Sequence, residues 1–428
     1  MLVAGMRANT TYHMQAVVQL ADGGSATDAD HAFVTGAAPL SPNLSVTTTP
    51  GMTPQPGVEE LTFLIGKTKG LAVTDLQGNV LWSYVLQSSH DDVEGAKLLP
   101  NGDFLITVGQ GSTAQLLPGN MSSIREIDLA GNIIREISSN DLSAKLQAAG
   151  YSLTLQQFHH DVTPLPNGHW LVLSNVIRPF TDLAGYPGVT NVLGDVVIDL
   201  DQNLQPVWVW NEFDHFDVNR HPMQFPDWTH TNAVIYSPSD GNILVSMRHQ
   251  NWVVKVDYRD GAGTGGVLWR LGQGGDFTLQ AGVDPTDWQY AQHYPSLFSH
   301  NSSGQFSLGL MDNGDDRIFP TRVNCGAMEA PACLNTTIPV FHIDEVAKTA
   351  TLTFHQILPT SLYSRWGGNT ELLTNGNIEY DLAGVGADSD IFEVTNTSTP
   401  ETVWHMHSTG SNTYRGYRIP SLYPGVQW

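Results

Sequence analysis

Three histidines recur at one position of a repeated hairpin pattern. His230 lies eleven residues before Gly241 and His293 eleven before Gly304, and His159 in QFHHDVTPLPNGH takes the same place before Gly168 once a shorter turn is allowed. Imidazole near neutral pH can ligate a metal, move a proton or act as a nucleophile. The next residue, His160, is followed by Asp161, a pairing in which a carboxylate can fix the tautomer of an imidazole, and the sequence leaves open whether His159 or His160 points inward. Asn232 shares a strand face with His230, because positions two apart do so. Arg248 ends the second strand of the hairpin that His230 begins, so the two are neighbours across an antiparallel pair. Its fixed planar donors suit an oxyanion such as sulfate, phosphate or carboxylate.

Two chemistries compete for this set. Three histidines can bind zinc or another transition metal with an open position. Metal sites usually recruit carboxylates as well, however, and an arginine beside the cation would repel it. Histidines with Arg248 and Asn232 and no evident carboxylate fit an anion better: cationic donors stabilise a transferring oxyanion while one imidazole attacks. The remaining candidates (His90, His215, His221, His342, His355, His405 and His407) read as surface or hydrogen-bonded structural residues.

Such residues need a scaffold that makes strand starts converge. Charged residues are only 14% of the chain while glycine (41) and proline (24) are abundant, which favours a turn-rich β protein over a helical one. From residue 59 onward the chain alternates two kinds of hairpin. One carries an Asn-Gly or Asp-Gly type turn, as in AKLLPNGDFLITV and TELLTNGNIEYDL; the other has an Asp before its turn and often a Trp after it, as in DVVIDLDQNLQPVWVW. Five complete four-stranded units result. A sixth has its outer strands at residues 60–85, and RGYRIPSL near the C-terminus is the economical source of its inner strand. A ring closed by both chain ends removes exposed sheet edges, so the expected fold is all-β, a six-bladed propeller over residues 59–428, with inner-strand starts facing a shared channel. The best helix candidate is SNDLSAKLQAAG, residues 139–150.

Residues 1–40 contain alternating positions Tyr12, Met14, Ala16 and Val18 and a second strand ending in FVTGA, a pattern resembling the last strands of a fibronectin type III module. Half a sandwich cannot bury its own face, so the sequence reads as beginning inside a longer protein whose preceding part would hold the other strands and any export signal. Residues 41–58, rich in Ser, Thr and Pro, read as a linker. With 19 basic against 42 acidic residues, the net charge of -23 repels polyanions and argues against nucleic-acid binding. No apolar run is long enough to span a membrane, and the N-terminus lacks the order of a signal peptide. The two cysteines, Cys325 and Cys333, could close a short-loop disulfide in an oxidising compartment.

The segments QFHHDVTPLPNGH, DWTHTNAVIYSPSDGNILVSMRHQNWVVKVD with LWRLGQGGDF, and WQYAQHYPSLF leading to LMDNGDD resemble the bacterial aryl sulfotransferases that work without the nucleotide sulfate donor. The likeness spans most of residues 60–428. It implies a six-bladed propeller with an N-terminal β-sandwich, exported to the periplasm or secreted and often dimeric, that transfers a sulfuryl group between phenols by a ping-pong route. It makes His293 the nucleophile. His230, Asn232 and Arg248 would bind the sulfuryl oxygens, and His159 or His160 would complete the cradle or move a proton. No metal or nucleotide cofactor is then required, and the partners are small aryl sulfates and phenols. Trp228, Tyr290, Tyr294, Tyr363 and Trp366 are candidates to stack on an aryl ring, with the SRWGGN segment the most suggestive. In the family as resembled, paired cysteines precede the nucleophile; here both follow it. Two other functions compete with transfer: a metal-dependent propeller hydrolase or lyase built on the same histidines, and a propeller that binds anionic or aromatic ligands without catalysis. A quinone-dependent dehydrogenase would show a regular tryptophan docking repeat that this chain lacks.

Overall fold

A computed structural model describes residues 3–66, 69–86, 91–109, 122–299, 303–315, 317 and 334–423. Cys325, Cys333 and His90 lie outside the described residues, and with them the expected disulfide. The alternating segment at the start of the chain forms β1 (Thr11–Met14), β2 (Val17–Gln19), β3 (Ser25–Thr27) and β4 (His31–Val34), a long ribbon with β1 against β4 and β2 against β3. Its apolar side chains Met14, Val17, Val18 and Val34 are exposed.

Residues expected to be a linker contain β5 (Leu44–Thr48), which pairs antiparallel with a strand of the fifth blade. The Ser/Thr-rich composition hid it. Thr and Val are β-branched and suit an edge strand, and Leu44 and Val46 rest against the apolar cluster around Trp404.

The rest is a ring of blades. β6 (Val58–Gly66), β7 (Gly70–Thr74) and β8 (Val80–Tyr84) are the outer strands of the closing blade. The first complete blade is β9 (Asp92–Leu98), β10 (Phe104–Gly109), β11 (Ser123–Ile127) and β12 (Ile133–Ser138). The helix α1 (Ser139–Ala148) follows, capped by Ser138, whose hydroxyl accepts from the Asp141 amide. The second blade is β13 (Leu155–Pro164), β14 (Trp170–Leu183), β15 (Tyr186–Leu200) and β16 (Pro206–Asn211), and the third is β17 (Thr231–Ser237), β18 (Asn242–Met247), β19 (Trp252–Val256) and β20 (Val267–Leu271). A short β21 (Thr278–Gln280) joins the fourth blade in parallel at its outer edge, beside β22 (His293–Ser299), β23 (Gln305–Met311), β24 (Thr337–Asp344) and β25 (Thr349–Ile357). The fifth comprises β26 (Thr370–Leu372), β27 (Ile378–Val385), β28 (Asp388–Val394) and β29 (Thr402–Ser408), with β5 outermost. β30 (Ser411–Ile419) pairs with β6 and closes the ring, starting four residues before the segment read from sequence.

Six apolar clusters hold the blades together, one at each interface of the ring. Leu71, Val73 and Trp82 of the closing blade meet Val93, Phe104 and Ile106 of the first, and at the other side Leu61, Phe63 and Ala72 meet Ile391, Trp404 and Met406 of the fifth. Because each blade buries both faces, its strands read as nearly continuous apolar runs instead of alternating ones, as in FLITV of β10. The turn glycines are needed for conformation. Gly376 has φ 88° and nothing lies within 4 Å of where a Cβ would stand, so its left-handed backbone is what glycine supplies. Among the described residues no helix is long and apolar enough to cross a membrane.

Candidate active site

The inner strands β9, β13, β17, β22, β26 and β30 surround the propeller axis, and their starts bring the predicted residues together. His160 has φ 59° and His230 φ 48°, left-handed values that are uncommon outside glycine and turn both residues off the regular strand alternation. The His160 ring centroid is 4.9 Å from that of His230, 6.5 Å from His293 and 5.9 Å from Tyr414. His159 points elsewhere: its Nε2 lies 3.1 Å from Asp195 Oδ1, and its Nδ1 meets His160 Nδ1 at 2.7 Å. Alignment by turn glycines puts His159 at the equivalent position, but of the two histidines that the sequence left open it is His160 that faces the axis. The register of β13 shifts between Phe158 and Val162, and this irregularity hands the axial position to His160.

His293 is buried, and its Nδ1 is 2.6 Å from Asn313 Oδ1. The Asn313 amide cannot be reversed, because its Nδ2 donates to the carbonyls of Ser364 (2.9 Å) and Gly367 (3.1 Å). Oδ1 is therefore the atom facing the ring, Nδ1 carries the proton, and Nε2 holds the lone pair. Nε2 accepts a 3.2 Å contact from the Gly367 amide, so the SRWGGN segment does reach the site through its backbone. Burial, then the Arg248 charge, push the His293 pKa well below the usual histidine range; the Asn313 bond opposes them in part. Burial and the neighbouring His159, His230, His293 and Arg415 push His160 down likewise. Both rings are neutral at ordinary pH. For His159, burial lowers the pKa but Asp195 more than offsets it, and the balance is upward.

Arg248 is held by partners on two sides. Its Nη1 donates to His249 Nε2 (2.7 Å) and its Nη2 to Asp315 Oδ2 (2.6 Å), whose other oxygen accepts from Tyr363. His249 donates through Nδ1 to the Asp227 carbonyl (2.6 Å), and burial with the His230 and Arg248 charges holds its pKa down at about 3. It therefore stays a neutral acceptor that orients the guanidinium. The Asp227 side chain takes His230 Nδ1 at 2.6 Å, leaving His230 Nε2 for the channel. A second guanidinium, Arg415 on β30, is fully buried; it donates to Asp161 (2.9 Å) and to the Asn232 carbonyl (2.6 Å). Asn232 itself donates to the Gln292 carbonyl (2.7 Å). Asp161 thus pairs with arginine on the last strand and not with the adjacent imidazole.

Several polar atoms around this cluster are buried without a hydrogen-bond partner among the described residues: Arg248 Nε, Arg415 Nε, Asn232 Oδ1 and the Tyr414 hydroxyl. Buried polar atoms without a partner cost free energy, and these donors together with the Asn232 acceptor mark where a polar ligand would be held.

Of the aromatic candidates, Trp228 is fully buried, stacked on Phe213 at 5.0 Å, with its indole N–H on the Arg220 carbonyl, and Tyr290 is buried with its hydroxyl on the Pro285 carbonyl. Both serve packing. Tyr294 receives Lys97 on its hydroxyl, while Tyr363 and Trp366 flank the site, Trp366 lying 6.5 Å from the Tyr414 ring and nearly parallel to it. Sequence reasoning passed over Asp227, His249, Asn313, Tyr414 and Arg415. The first three stand inside the quoted motifs DWTHTN, SMRHQ and LMDNGDD; Arg415 is the first residue of RGYRIPSL, read only as a closing strand, and Tyr414 adjoins it. The carboxylate that appeared to be missing is Asp227, three residues before His230.

Fold and site define a six-bladed β-propeller whose axis gathers histidines, His160 and His293 among them neutral, beside the buried Arg415 and the part-buried Arg248. The chain belongs to the arylsulfotransferase (ASST) family, whose pattern it matches over residues 46–418. Family membership supports an aryl sulfotransferase activity in general. No curated protein matches the chain. Solved structures of similar shape include a protein from Lactobacillus plantarum (10% identity, 86% of this chain and 100% of that one, TM-score 0.42). Two others are the hydrazine synthase of Kuenenia stuttgartiensis (11% identity, 81% and 79%, TM-score 0.37) and an apocarotenoid oxygenase of Synechocystis (9% identity, 90% and 97%, TM-score 0.36).

Proposed function

We propose that the protein moves a sulfuryl group from an aryl sulfate to a phenol through a sulfohistidine at His293. The observation that carries this is the pairing of a neutral His293, its Nε2 lone pair fixed by Asn313, with the Arg248 and Arg415 guanidiniums, whose Nε–H donors are buried and unpaired among the described residues. Nε2 attacks sulfur, an S–N bond forms, the S–O bond to the aryl group breaks, and the phenolate leaves. In the second half the oxygen of an acceptor phenol attacks the same sulfur, the S–N bond breaks, and the acceptor's proton passes to a base. The amide contact from Gly367 occupies the lone pair weakly and must yield to the sulfur.

Sulfuryl transfer resembles phosphoryl transfer in having a loose transition state with charge on the peripheral and leaving oxygens, so positioning and cationic donors matter most. Arg248 and Arg415 supply charge. His230, oriented by Asp227, and His160, neutral and central, are placed to donate to sulfuryl or phenolate oxygens and to carry the proton between half-reactions. Asn232 acts mainly by holding the Gln292 backbone beside His293. Small aryl sulfates and phenols are the substrates and no metal enters the steps. A periplasmic or secreted location follows from the family resemblance.

A second reading has one observation in its favour: donor atoms of Asp227, His230 and His249 lie within 4.8 Å of one another and could hold a metal ion. The Arg248 guanidinium 2.7 Å from His249 Nε2 opposes a cation there. The test is turnover of a chromogenic aryl sulfate with a phenol acceptor, with and without a chelator, beside His293→Ala. Acceptor-dependent, chelator-resistant turnover absent from the variant supports transfer; turnover abolished by the chelator supports the metal enzyme, and none at all a binding protein.

A further inference from the structure

A second cluster of ligating groups lies on the outer strands of the fifth blade, away from the axis, and the chemistry above does not use it. His405 and His407 alternate on β29 and so share one face, and Asp390 on β28 stands directly opposite His407. The two imidazoles, His405 through Nε2 and His407 through Nδ1, both lie 2.8 Å from the same carboxylate oxygen, Asp390 Oδ1. The three donor atoms fall within 4.8 Å of one another. The Asp390 side chain is 6% exposed, whereas His405 and His407 are 27% and 32% exposed, so the cluster opens to solvent on the imidazole side only.

The surroundings orient the rings. His405 lies flat on Phe392, with centroids 4.2 Å apart and planes 4° from parallel. The other nitrogen of His407, Nε2, is 4.0 Å from Asp388 Oδ2, and Asp388 is itself anchored by the Gly410 amide at 2.7 Å. Metal-ligating imidazoles characteristically use a carboxylate beside the far nitrogen, and Asp388 stands within ion-pair range of that atom in His407.

We propose that Asp390, His405 and His407 form a binding site for a divalent transition metal, zinc fitting best, with a fourth position open to water. Nitrogen and oxygen ligands at about 2.0–2.1 Å in tetrahedral geometry stand about 3.3 Å from one another. The observed 2.8 Å separations need to open by only about 0.5 Å, a small rotation of two partly exposed rings. In the present arrangement the ring protons point at one carboxylate oxygen. A metal ion at that point takes the lone pair of each neutral ring, whose proton then sits on the other nitrogen, Nδ1 of His405 and Nε2 of His407. Bound there, it ties β28 to β29, the strands that carry β5 on one side and lead directly into the ring-closing β30 on the other. It is a structural staple independent of the axial site.

The test titrates the full chain, stripped with a chelator, with zinc chloride against a chromophoric competitor. Cobalt(II) absorption gives an independent readout of nitrogen-ligated tetrahedral geometry. His407→Ala and the near-isosteric Asp390→Asn are compared with wild type and with His230→Ala, which alters the axial trio; circular dichroism verifies folding of each. The site predicts saturable zinc binding retained in His230→Ala, weakened at least about 100-fold in both blade-five variants, since loss of even an outer partner costs 10–100-fold. Zinc should raise the melting temperature of wild type but not of His407→Ala. Absence of saturable binding and of a tetrahedral cobalt spectrum in wild type would overturn the proposal. So would binding lost in His230→Ala and kept in Asp390→Asn and His407→Ala, which would locate the ion on the axis.

Discussion

Asn313→Ala is the substitution that tests the tautomer argument. It removes the acceptor 2.6 Å from His293 Nδ1 and both donors that Asn313 gives to Ser364 and Gly367. The His293 N–H is then a buried, unpaired donor in the reactive tautomer, a state that costs about 1–3 kcal/mol relative to one in which the ring turns or changes tautomer. At about 1.4 kcal/mol per tenfold, kcat/KM with a chromogenic aryl sulfate should fall roughly 5–150-fold, well short of the loss expected for His293→Ala. The pH dependence sharpens the test. The Asn313 hydrogen bond opposes the burial and the Arg248 charge that push the His293 pKa down, so removing it moves that pKa further below the usual range and the ring stays neutral. The loss should be uniform from about pH 6 to about 9. Wild-type activity in the variant, or a loss confined to the acid side, would refute the assignment.

Three further outcomes are expected. Arg248→Gln should lower kcat by about 10²–10³, as removal of one oxyanion donor does, and should also lower the melting temperature, because Asp315 loses its buried cationic partner. His249→Gln should lower kcat about tenfold or less through misplacement of Arg248 and leave the pH profile unmoved, since the ring it replaces is neutral above about pH 3; a shifted profile would contradict that role. Glu60 is buried, and burial, opposed by Lys97, raises its pKa from 4.5 to about 8. The folded form therefore holds a proton that the unfolded chain releases above pH 4.5, and the stabilisation is complete below pH 4.5 and lost as pH rises through about 8. Glu60→Gln should melt with less pH dependence over that window than wild type, as thermal scans at several pH values will show.

How much was legible in the chain follows from how local each signal is. Hairpin turns such as Pro166-Asn167-Gly168 are written in consecutive residues, so the blade count and the use of the C-terminal strand to close the ring could be read. β5 and β21 could not. They are edge strands whose identity depends on a partner far along the chain, and their Ser, Thr and Gln residues look like linker until β29 or β25 is placed beside them. In the site, His230 and His293 were singled out because the repeat puts them at equivalent places, and Arg248 because it ends the strand that pairs with the one His230 begins. Which of His159 and His160 faces the axis could not be read, because a strand irregularity and a left-handed backbone override the period. Arg415 meets Asp161, 254 residues away, only when the ring closes, and no local pattern announces that pairing. Asp227 was legible in principle, three residues before His230, and supplies the carboxylate that the anion-over-metal argument took to be absent.

The most direct test of the central claim is to expose the protein to an isotopically labelled aryl sulfate without acceptor, quench under alkaline conditions and map the label by peptide mass spectrometry. The account predicts a labelled peptide with the sulfuryl group on His293, discharged when a phenol is added before the quench and absent from His293→Ala. Acceptor-dependent turnover with no label on His293, or with the label on another residue, would contradict it.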